Sequence, residues 1–488
     1  MPPVMDSVAL AAPLVLLALM GVVLMVAAAV FRPMPKGAFW MASCATVAGA
    51  LVLVALSSGQ PANEAFSGML RMDAFGNFFA CASLLGGLFA LLLTESYMER
   101  IGVRVGELYA LMLFALCGML GMAYSNDLMM VFISLEVMSL AIYAMCAIKR
   151  SDERAVESGF KYFILGAFSS AIMLYGVAFV FGATGSTSLT TIAHSLASSG
   201  GEAGTLLLVG VALLFVGFGF KVASVPFHMW APDVYQGAPT TVTALMATGV
   251  KAASFAAFGR VVIGALGEDA GHWSGALWVM AAATMLVGNL GALVQNDLKR
   301  MFAYSSIAHA GYMLMALSSV SEAGAVENDG IGSLAFYMLA YVFMNAGAFA
   351  VLSLMTDEKG DDATDIAKLS GLGKSHPWLA AGLSLCLISL AGLPPTMGFI
   401  GKFYLFAAAI GAGQVGLAMV GALGAAAGVY YYLRPMVYMY MKDGHPEIAQ
   451  DGRAKLALGV CGALLVVFGL MPSAVLAWAD VAVRSVIG

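Results

Sequence analysis

The sequence predicts an all-α polytopic membrane protein with about fourteen transmembrane helices, built around two inverted five-helix repeats that each contain a broken helix. Three observations predict it. Hydrophobic residues make up 61% of the 488 and charged residues only 10%, where a soluble globular chain carries about 25% charge. The apolar residues fall into runs long enough to cross a bilayer, about 20 residues each. Two of those runs are too long for one straight span, and each carries a lysine close to a proline.

The runs cover residues 8–30, 38–58, 74–93, 107–124, 127–148, 160–182, 205–236, 240–262, 273–295, 301–319, 331–355, 378–411, 413–436 and 455–477. The first exceeds a signal-peptide core and lacks a basic stretch before it, so it reads as a retained span. The loops are short, which leaves one compact helical body without soluble modules. Its expected parts are a three-helix segment over 1–106, a first five-helix repeat over 107–262, a second over 263–437, and a last helix within 438–488.

Charge fixes an expected orientation. With the N-terminus in the periplasm, sixteen basic residues fall on cytoplasmic loops, from Arg32, Lys36 and Arg104 through Lys299 and Lys359 to Lys455. The periplasmic side keeps only Arg71, Arg260 and Arg484. That asymmetry obeys the positive-inside rule. An even number of spans returns the C-terminus to the periplasm too. The net charge of −5 and the lack of a basic tail point away from nucleic acid. The six cysteines lie inside apolar runs with no CxxC spacing, so they read as small packing residues and not as metal or iron–sulfur ligands.

Sixteen and three leave four of the 23 basic residues, and these fall within spans: Lys161, Lys221, Lys251 and Lys402. Lysines near helix ends snorkel to the headgroups, and Lys161, two positions into its run, can do so. The other three lie too deep for that. Ionisable groups at such depth face a hydrated interior and mark an ion or proton path. Burial disfavours an ammonium, and a neighbouring carboxylate favours it again. A lysine whose partner comes and goes can therefore load and release a proton, whereas arginine stays charged. The four left over are all lysines.

Glu136 is the acidic counterpart. It shares a helical face with Phe132, Ser139 and Tyr143 by i, i+3, i+4 spacing. A static ion pair with a lysine is the plain reading, and a pair that exchanges partners is the functional one. His309 aligns with Ser305 and Tyr312, and His228 follows Lys221 by seven residues. An imidazole titrates near neutral pH, although a hydrogen-bonded core histidine is the ordinary alternative for both. The other four histidines fall in loops and carry no assignment.

The two long runs read GFGFKVASVPFHMW and SLAGLPPTMGFIGKFYLF. Pro226 cannot donate to the carbonyl of Val222. Pro394 and Pro395 free the carbonyls of Leu390 and Ala391. Irregular backbone at membrane depth survives only where protein or water satisfies it, and broken helices are a common way to build ion sites. Glu136 and Lys221 occupy the second and fourth spans of one five-span unit, and His309 and Lys402 those of the next. Five is odd, so the units point oppositely across the membrane. Lys251, flanked by Thr248 and Ser254, closes the first unit and can bridge to the second. The expected line is Glu136, Lys221, Lys251, His309, Lys402, with Lys161 alongside its first members.

FKVASVPFHMWAPDVYQGAPT, QNDLKRMFAYSSIAHAGYM and LAGLPPTMGFIGKF resemble the antiporter-like subunits of respiratory complex I, over about residues 107–437. Among these the N-type is the best match: Lys402 stands where the M-type is expected to have glutamate, and the chain stops where the L-type adds a long lateral helix. The resemblance implies proton pumping across a bacterial inner membrane, driven by electron transfer from NADH to quinone in other subunits. It implies that Glu136 and Lys221 form the input pair, Lys251 the central lysine and Lys402 the outlet, with Lys161, His228 and His309 accessory. It implies no cofactor in this chain, NADH, FMN, iron–sulfur clusters and quinone belonging to partners. Those partners are an M-like antiporter homologue, K-like and other small membrane subunits, and lipids. An Mrp-type cation/proton antiporter subunit, a proton-pumping hydrogenase subunit and a structural scaffold remain as alternatives.

Overall fold

In a computed structural model, residues 4–31, 37–103, 106–198, 204–267, 270–319, 329–357 and 360–487 are described. Arg32, Lys36, Arg104 and Lys359, counted above among the cytoplasmic charges, lie outside them. The chain opens with α1 (Val4–Leu10), α2 (Ala12–Val30) and α3 (Ala38–Ser57), then a short hairpin of β1 (Asn63–Ala65) and β2 (Leu70–Met72), then α4 (Ala74–Arg100). A first group follows: α5 (Glu107–Tyr124), α6 (Leu128–Cys146), α7 (Glu153–Thr184), the short α8 (Leu189–Ser198), and the half-helices α9 (Thr205–Val222) and α10 (Trp230–Gly237). Its last pass is composite. α11 (Thr240–Leu245) runs through a π turn at Met246–Val250 into α12 (Lys251–Arg260) and a second π turn at Val261–Ala265.

The second group is α13 (Ala270–Leu293), α14 (Leu298–Ser319), α15 (Asp329–Leu352), β3 (Met355–Thr356), a 3-10 turn at Ile366–Leu369, α16 (Leu372–Ser375), the half-helices α17 (Pro377–Ala391) and α18 (Met397–Gly411), and α19 (Val415–Met441). β4 (Glu447–Ile448), which pairs with β3, leads to α20 (Gly452–Leu470) and α21 (Ser473–Ile487). Twelve helices among the described residues are long and apolar enough to cross a membrane. α14 and the pair α17–α18 complete the fourteen expected passes.

Several boundaries differ from expectation. α7 begins at Glu153, so Lys161 lies more than two turns into the helix. Asp152 caps that start by accepting from the Arg154 amide, a polar signal that a hydropathy count passes over. Arg260 is no loop residue. It ends α12, 3% exposed, and its guanidinium donates to both carboxylate oxygens of Asp73 at 2.8 and 2.7 Å and to the Ala123 carbonyl at 3.0 Å. Asp73 in turn caps α4, so one ion pair locks three helices together. α8 and α21 were not expected at all.

The two groups fold by the same local rules. Asn126-Asp127-Leu128 opens α6 and Asn296-Asp297-Leu298 opens α14. The Leu128 amide donates to the Thr187 carbonyl at 2.9 Å, and that of Leu298 to the Thr364 carbonyl at 2.7 Å. Thr187 and Thr364 return a hydroxyl to Asp127 and Asp297 respectively. In each group the first helix packs tightly on the second, through Gly118 against α6 and Gly288 against α14; a Cβ on either would fall within 2.5 Å of a backbone nitrogen. In each, the third helix packs on a half-helix, α7 on α9 and α15 on α18. The 240–265 pass and α15 are buried along their apolar lengths and touch one another. They form the seam where the groups meet.

Candidate functional site

The first break sits just beyond Lys221. α9 ends in a Schellman arrangement: Ala223 takes the left-handed conformation at φ 58°, its amide donating to Phe220 O at 3.1 Å and the Ser224 amide to Gly219 O at 2.8 Å. The helix has therefore stopped three residues before Pro226. The expectation that the proline ends it is corrected: Ala223 does, and Pro226 lies exposed in the non-helical link. The link is pinned by the Val225 amide donating to Thr284 Oγ1 at 2.9 Å and by Trp230 Nε1 donating to Phe220 O at 2.9 Å.

The second break repeats the device. Gly392, at φ 82°, ends α17, its amide donating to Ser389 O at 3.0 Å and that of Leu393 to Ile388 O at 3.1 Å. Pro394 and Pro395 follow, both exposed, and Thr396 caps α18. The carbonyls of Leu390 and Ala391, which no later amide reaches, face Lys402 of α18. Its Nζ donates to them at 2.8 and 3.0 Å. These are the two carbonyls expected to be free.

Lys221, Lys251 and Lys402 are 3%, 3% and 6% exposed. Lys221 donates to Ser139 Oγ at 2.6 Å and Tyr143 OH at 3.4 Å, and sits 5.3 Å from the ring centres of Tyr143 and Tyr162. Lys251 crosses the seam, donating to the carbonyl and hydroxyl of Ser306 on α14 at 2.7 and 2.6 Å. Its flanking Thr248 and Ser254 donate instead to the carbonyls of Ala244 and Val250. Among the described residues none of these three lysines has a carboxylate within 4.0 Å.

His309 lies between the last two lysines. Nε2 is 2.8 Å from Tyr432 OH and Nδ1 bonds Tyr337 OH, while Ser305 also bonds Tyr432. Tyr431 donates to Asn289 at 3.1 Å, and Asn289 donates to Tyr312 OH at 3.3 Å. The ring of Tyr312 lies 5.1 Å from Lys402 Nζ. Polar atoms thus run from the seam to the second break. Between Lys221 and Lys251 the wall is aromatic: Tyr162 stacks on Trp230 at 4.3 Å, and Trp230 meets Tyr235 at 6.3 Å.

Three expected members sit elsewhere than in that buried line. Glu136 shares its helix face with Ser139, yet the residue is half-buried and its carboxylate accepts from Ser170 Oγ at 2.5 Å, not from Lys221. Lys161 pairs with Glu157 at 2.7 Å and Asp233 at 2.9 Å, its side chain 41% exposed. Asp233 also holds Arg300 at 2.6 Å, so this cluster tethers α10 to α7 and α14. His228 is half-buried in the first link, and its Nδ1 has no hydrogen-bond partner among the described residues. The tyrosines at 337, 341, 431 and 432, with Asn289, Ser170 and Ser306, were not singled out from the sequence. The run Tyr430-Tyr431-Tyr432 in the thirteenth span was the available signal. Among the described residues no group of His, Cys, Asp or Glu is placed to hold a metal ion.

Residues 125–427 match the family NADH:quinone oxidoreductase/Mrp antiporter, TM. NADH-quinone oxidoreductase subunit N of Trichlorobacter lovleyi is 42% identical over 475 residues, covering 97% of this chain and 96% of its own. A chain in respiratory complex I from Thermus thermophilus with bound aureothin is 36% identical with a TM-score of 0.80, covering 95% and 98%. A chain of the Mrp complex from a Dietzia species has a TM-score of 0.84 at 21% identity, a likeness of fold alone.

Proposed function

The chain belongs to the subunit N family of NADH-quinone oxidoreductase, and on that premise we propose that Lys221, Lys251 and Lys402 are its proton carriers. It is a multi-span membrane-arm subunit of a proton-translocating oxidoreductase, assembled with the other membrane-arm subunits. The observation that carries the relay reading is that three buried lysines have no carboxylate within 4.0 Å among the described residues. A permanently charged buried ammonium in a structural role is held by a carboxylate, because an unpaired buried charge is strongly destabilising. Hydroxyls, carbonyls and aromatic rings surround these three instead.

Glu136 and Lys221 form the input: Glu136 lies one helical turn from Ser139 on α6, and Ser139 accepts from Lys221 of α9. Lys251 hands over at the seam, His309 and its tyrosines continue the line, and Lys402 is the outlet. Lys161 and His228 are accessory. Moving one charge against 100 mV costs about 2.3 kcal/mol, which a change of under two pKa units at one carrier supplies at about 1.36 kcal/mol per unit. The groups over 107–262 and 263–437 are the two inverted repeats, with 1–106 and 438–488 as flanking segments; their matching Asn-Asp-Leu clasps support this division. The membrane is the bacterial inner membrane with both termini periplasmic, a placement supported by the basic residues. NADH, flavin, iron–sulfur and quinone chemistry belong to partner subunits, and subunits of M and K type are its neighbours.

The test is to extract the tagged chain gently from its own membrane and assay what co-purifies. Flavin and iron–sulfur subunits with NADH:quinone activity are expected. Only small membrane partners, with sodium–proton exchange in vesicles and no NADH oxidation, would replace this reading by an antiporter.

A further inference from the structure

A cavity of about 890 Å³ opens where residues 149–155, 236–239 and 361–364 meet, beyond the C-terminal ends of α4 and α10 and at the start of α14. It is lined in part by Lys299, a buried lysine outside the line described above, its side chain 4% exposed. Lys299 Nζ donates to the Ala238 carbonyl at 2.5 Å and lies 3.8 Å from Asp362 Oδ2. Asp362 reaches the same cavity. It also accepts from Tyr97 OH and Thr240 Oγ1, both at 2.6 Å, and pairs with Arg100 at 3.4 Å.

The far side of this wall is Lys251. Lys299 and Ser306 lie seven residues apart on α14, two turns along one face, about 10 Å. Ser306 is the residue that holds Lys251 with both its carbonyl and its hydroxyl. Tyr235, next in sequence to the cavity-lining Gln236, sets its hydroxyl 3.4 Å from Ser306 Oγ. Lys299 on the cavity side, and the Tyr235 and Ser306 hydroxyls on the Lys251 side, thus lie between a polar cavity and a buried carrier.

We propose that this cavity is the proton intake of the chain, with Asp362 and Lys299 as its first carriers, and that it feeds Lys251 directly through Tyr235 and Ser306. The proposal rests on the relay reading of Lys251. A proton from water in the cavity protonates the Asp362 carboxylate, which passes it to a neutral Lys299 amine and becomes a carboxylate again. The Lys299 ammonium then gives up a proton towards Lys251. Tyr235 and Ser306 each donate one O–H proton as they accept another, so both end neutral. The neutral Lys251 amine becomes the ammonium, and Lys299 is left neutral for reloading. At 3.8 Å the Asp362–Lys299 pair is open beyond hydrogen-bond length, so the transfer needs the two groups to approach by about 1 Å. Because intake enters at the seam, loading of Lys251 does not require Lys221.

The experiment uses the intact complex in sealed vesicles, reading protons translocated per NADH oxidised. Lys299→Ala is expected to lower that yield several-fold and methylammonium to restore part of it, since the cavity admits a small amine at the missing position. A loss that methylammonium leaves unchanged would make Lys299 a structural clasp and overturn the proposal. If Lys299→Ala does not assemble, Lys299→Arg decides. It keeps the charge at Ala238 and Asp362 but does not release its proton, so a several-fold loss in the assembled variant is expected and a wild-type yield overturns the intake. Lys251→Ala runs in parallel. A normal yield there removes the relay reading itself, whereas a lost yield beside a normal Lys299→Arg removes only the intake.

Discussion

The two broken helices solve one problem with different chemistry. Each stops in a left-handed residue, Ala223 or Gly392, and each has a lysine at the C-terminal end of a half-helix: Lys221 in the last turn of α9, and Lys402 bonded to the last carbonyls of α17. At the first break the amine belongs to the ending helix and is held by side-chain hydroxyls, Ser139 and Tyr143. At the second it belongs to the following helix and is held by main-chain carbonyls, Leu390 and Ala391. A hydroxyl donates and accepts, so it satisfies an ammonium or a neutral amine; a carbonyl only accepts. The Lys221 cradle suits a group that changes state often, and the Lys402 cradle suits one held as a cation until displaced. Lys251, held by one carbonyl and one hydroxyl of the same serine, combines both.

Removing the amine altogether tests the comparison most severely. Lys221→Ala should leave the complex assembled, because the Ala223 cap and the Thr284 tether do not depend on it, and should lower proton translocation by about tenfold or more, as loss of a positioned acid–base group does. Proton yield per NADH in vesicles checks it. An assembled variant that pumps normally removes Lys221 from the mechanism and leaves the first break a purely structural feature.

The second cradle cannot be edited through its ligands, which are backbone, but it can be crowded. A Cβ on Gly392 would lie 2.6 Å from Lys402 Cδ, and its φ of 82° disfavours any L side chain by roughly 1–2 kcal/mol. Gly392→Ala should therefore displace Lys402 and approach the effect of Lys402→Ala on proton yield. Equal yields for Gly392→Ala and wild type would show that the carbonyl cradle is dispensable.

The first cradle is editable, and its loss should be milder. Ser139→Ala removes the 2.6 Å partner of Lys221 while Tyr143 stays in reach. A hydrogen bond is worth about 1 kcal/mol net, so translocation should fall roughly fivefold. Ser139→Thr, which keeps the hydroxyl, should recover most of it. Failure of threonine to recover more than alanine would argue that packing at 139, not hydroxyl chemistry, matters.

Much of this was legible in the sequence, and the reasons are physical. Lysine in an apolar run is costly enough to stand out, so Lys221, Lys251 and Lys402 were visible, and proline's missing amide named the Leu390 and Ala391 carbonyls correctly. Tyrosine is apolar over most of its surface, so Tyr337, Tyr431 and Tyr432 looked like filling. Lys299 and Arg260 looked like loop charges because they lie at the edges of the spans, yet both are buried by segments distant in sequence. The Asn-Asp-Leu repeat at 126–128 and 296–298 was readable, but three residues mean little until Thr187 and Thr364 are seen to clasp them. That Glu136 bonds Ser170 is a tertiary fact that no spacing on its own helix could supply.

The smallest effect belongs to the residue that first drew the eye. Pro226 is exposed, and the helix before it has already been ended by Ala223, with the link fixed at Val225 and Trp230. Pro226→Ala adds an amide that the exposed link can leave to its surroundings and removes no contact to Lys221. Proton yield should stay within about twofold of wild type, since substitutions away from core contacts fall within about 0.5 kcal/mol. Ala223→Val makes the complementary change. A β-branched residue in the left-handed region is strained, so that variant should lose more activity than Pro226→Ala although proline is the recognised helix breaker. If the order is reversed, the proline sets the break after all, and the two breaks differ in what ends the helix as well as in what holds the lysine.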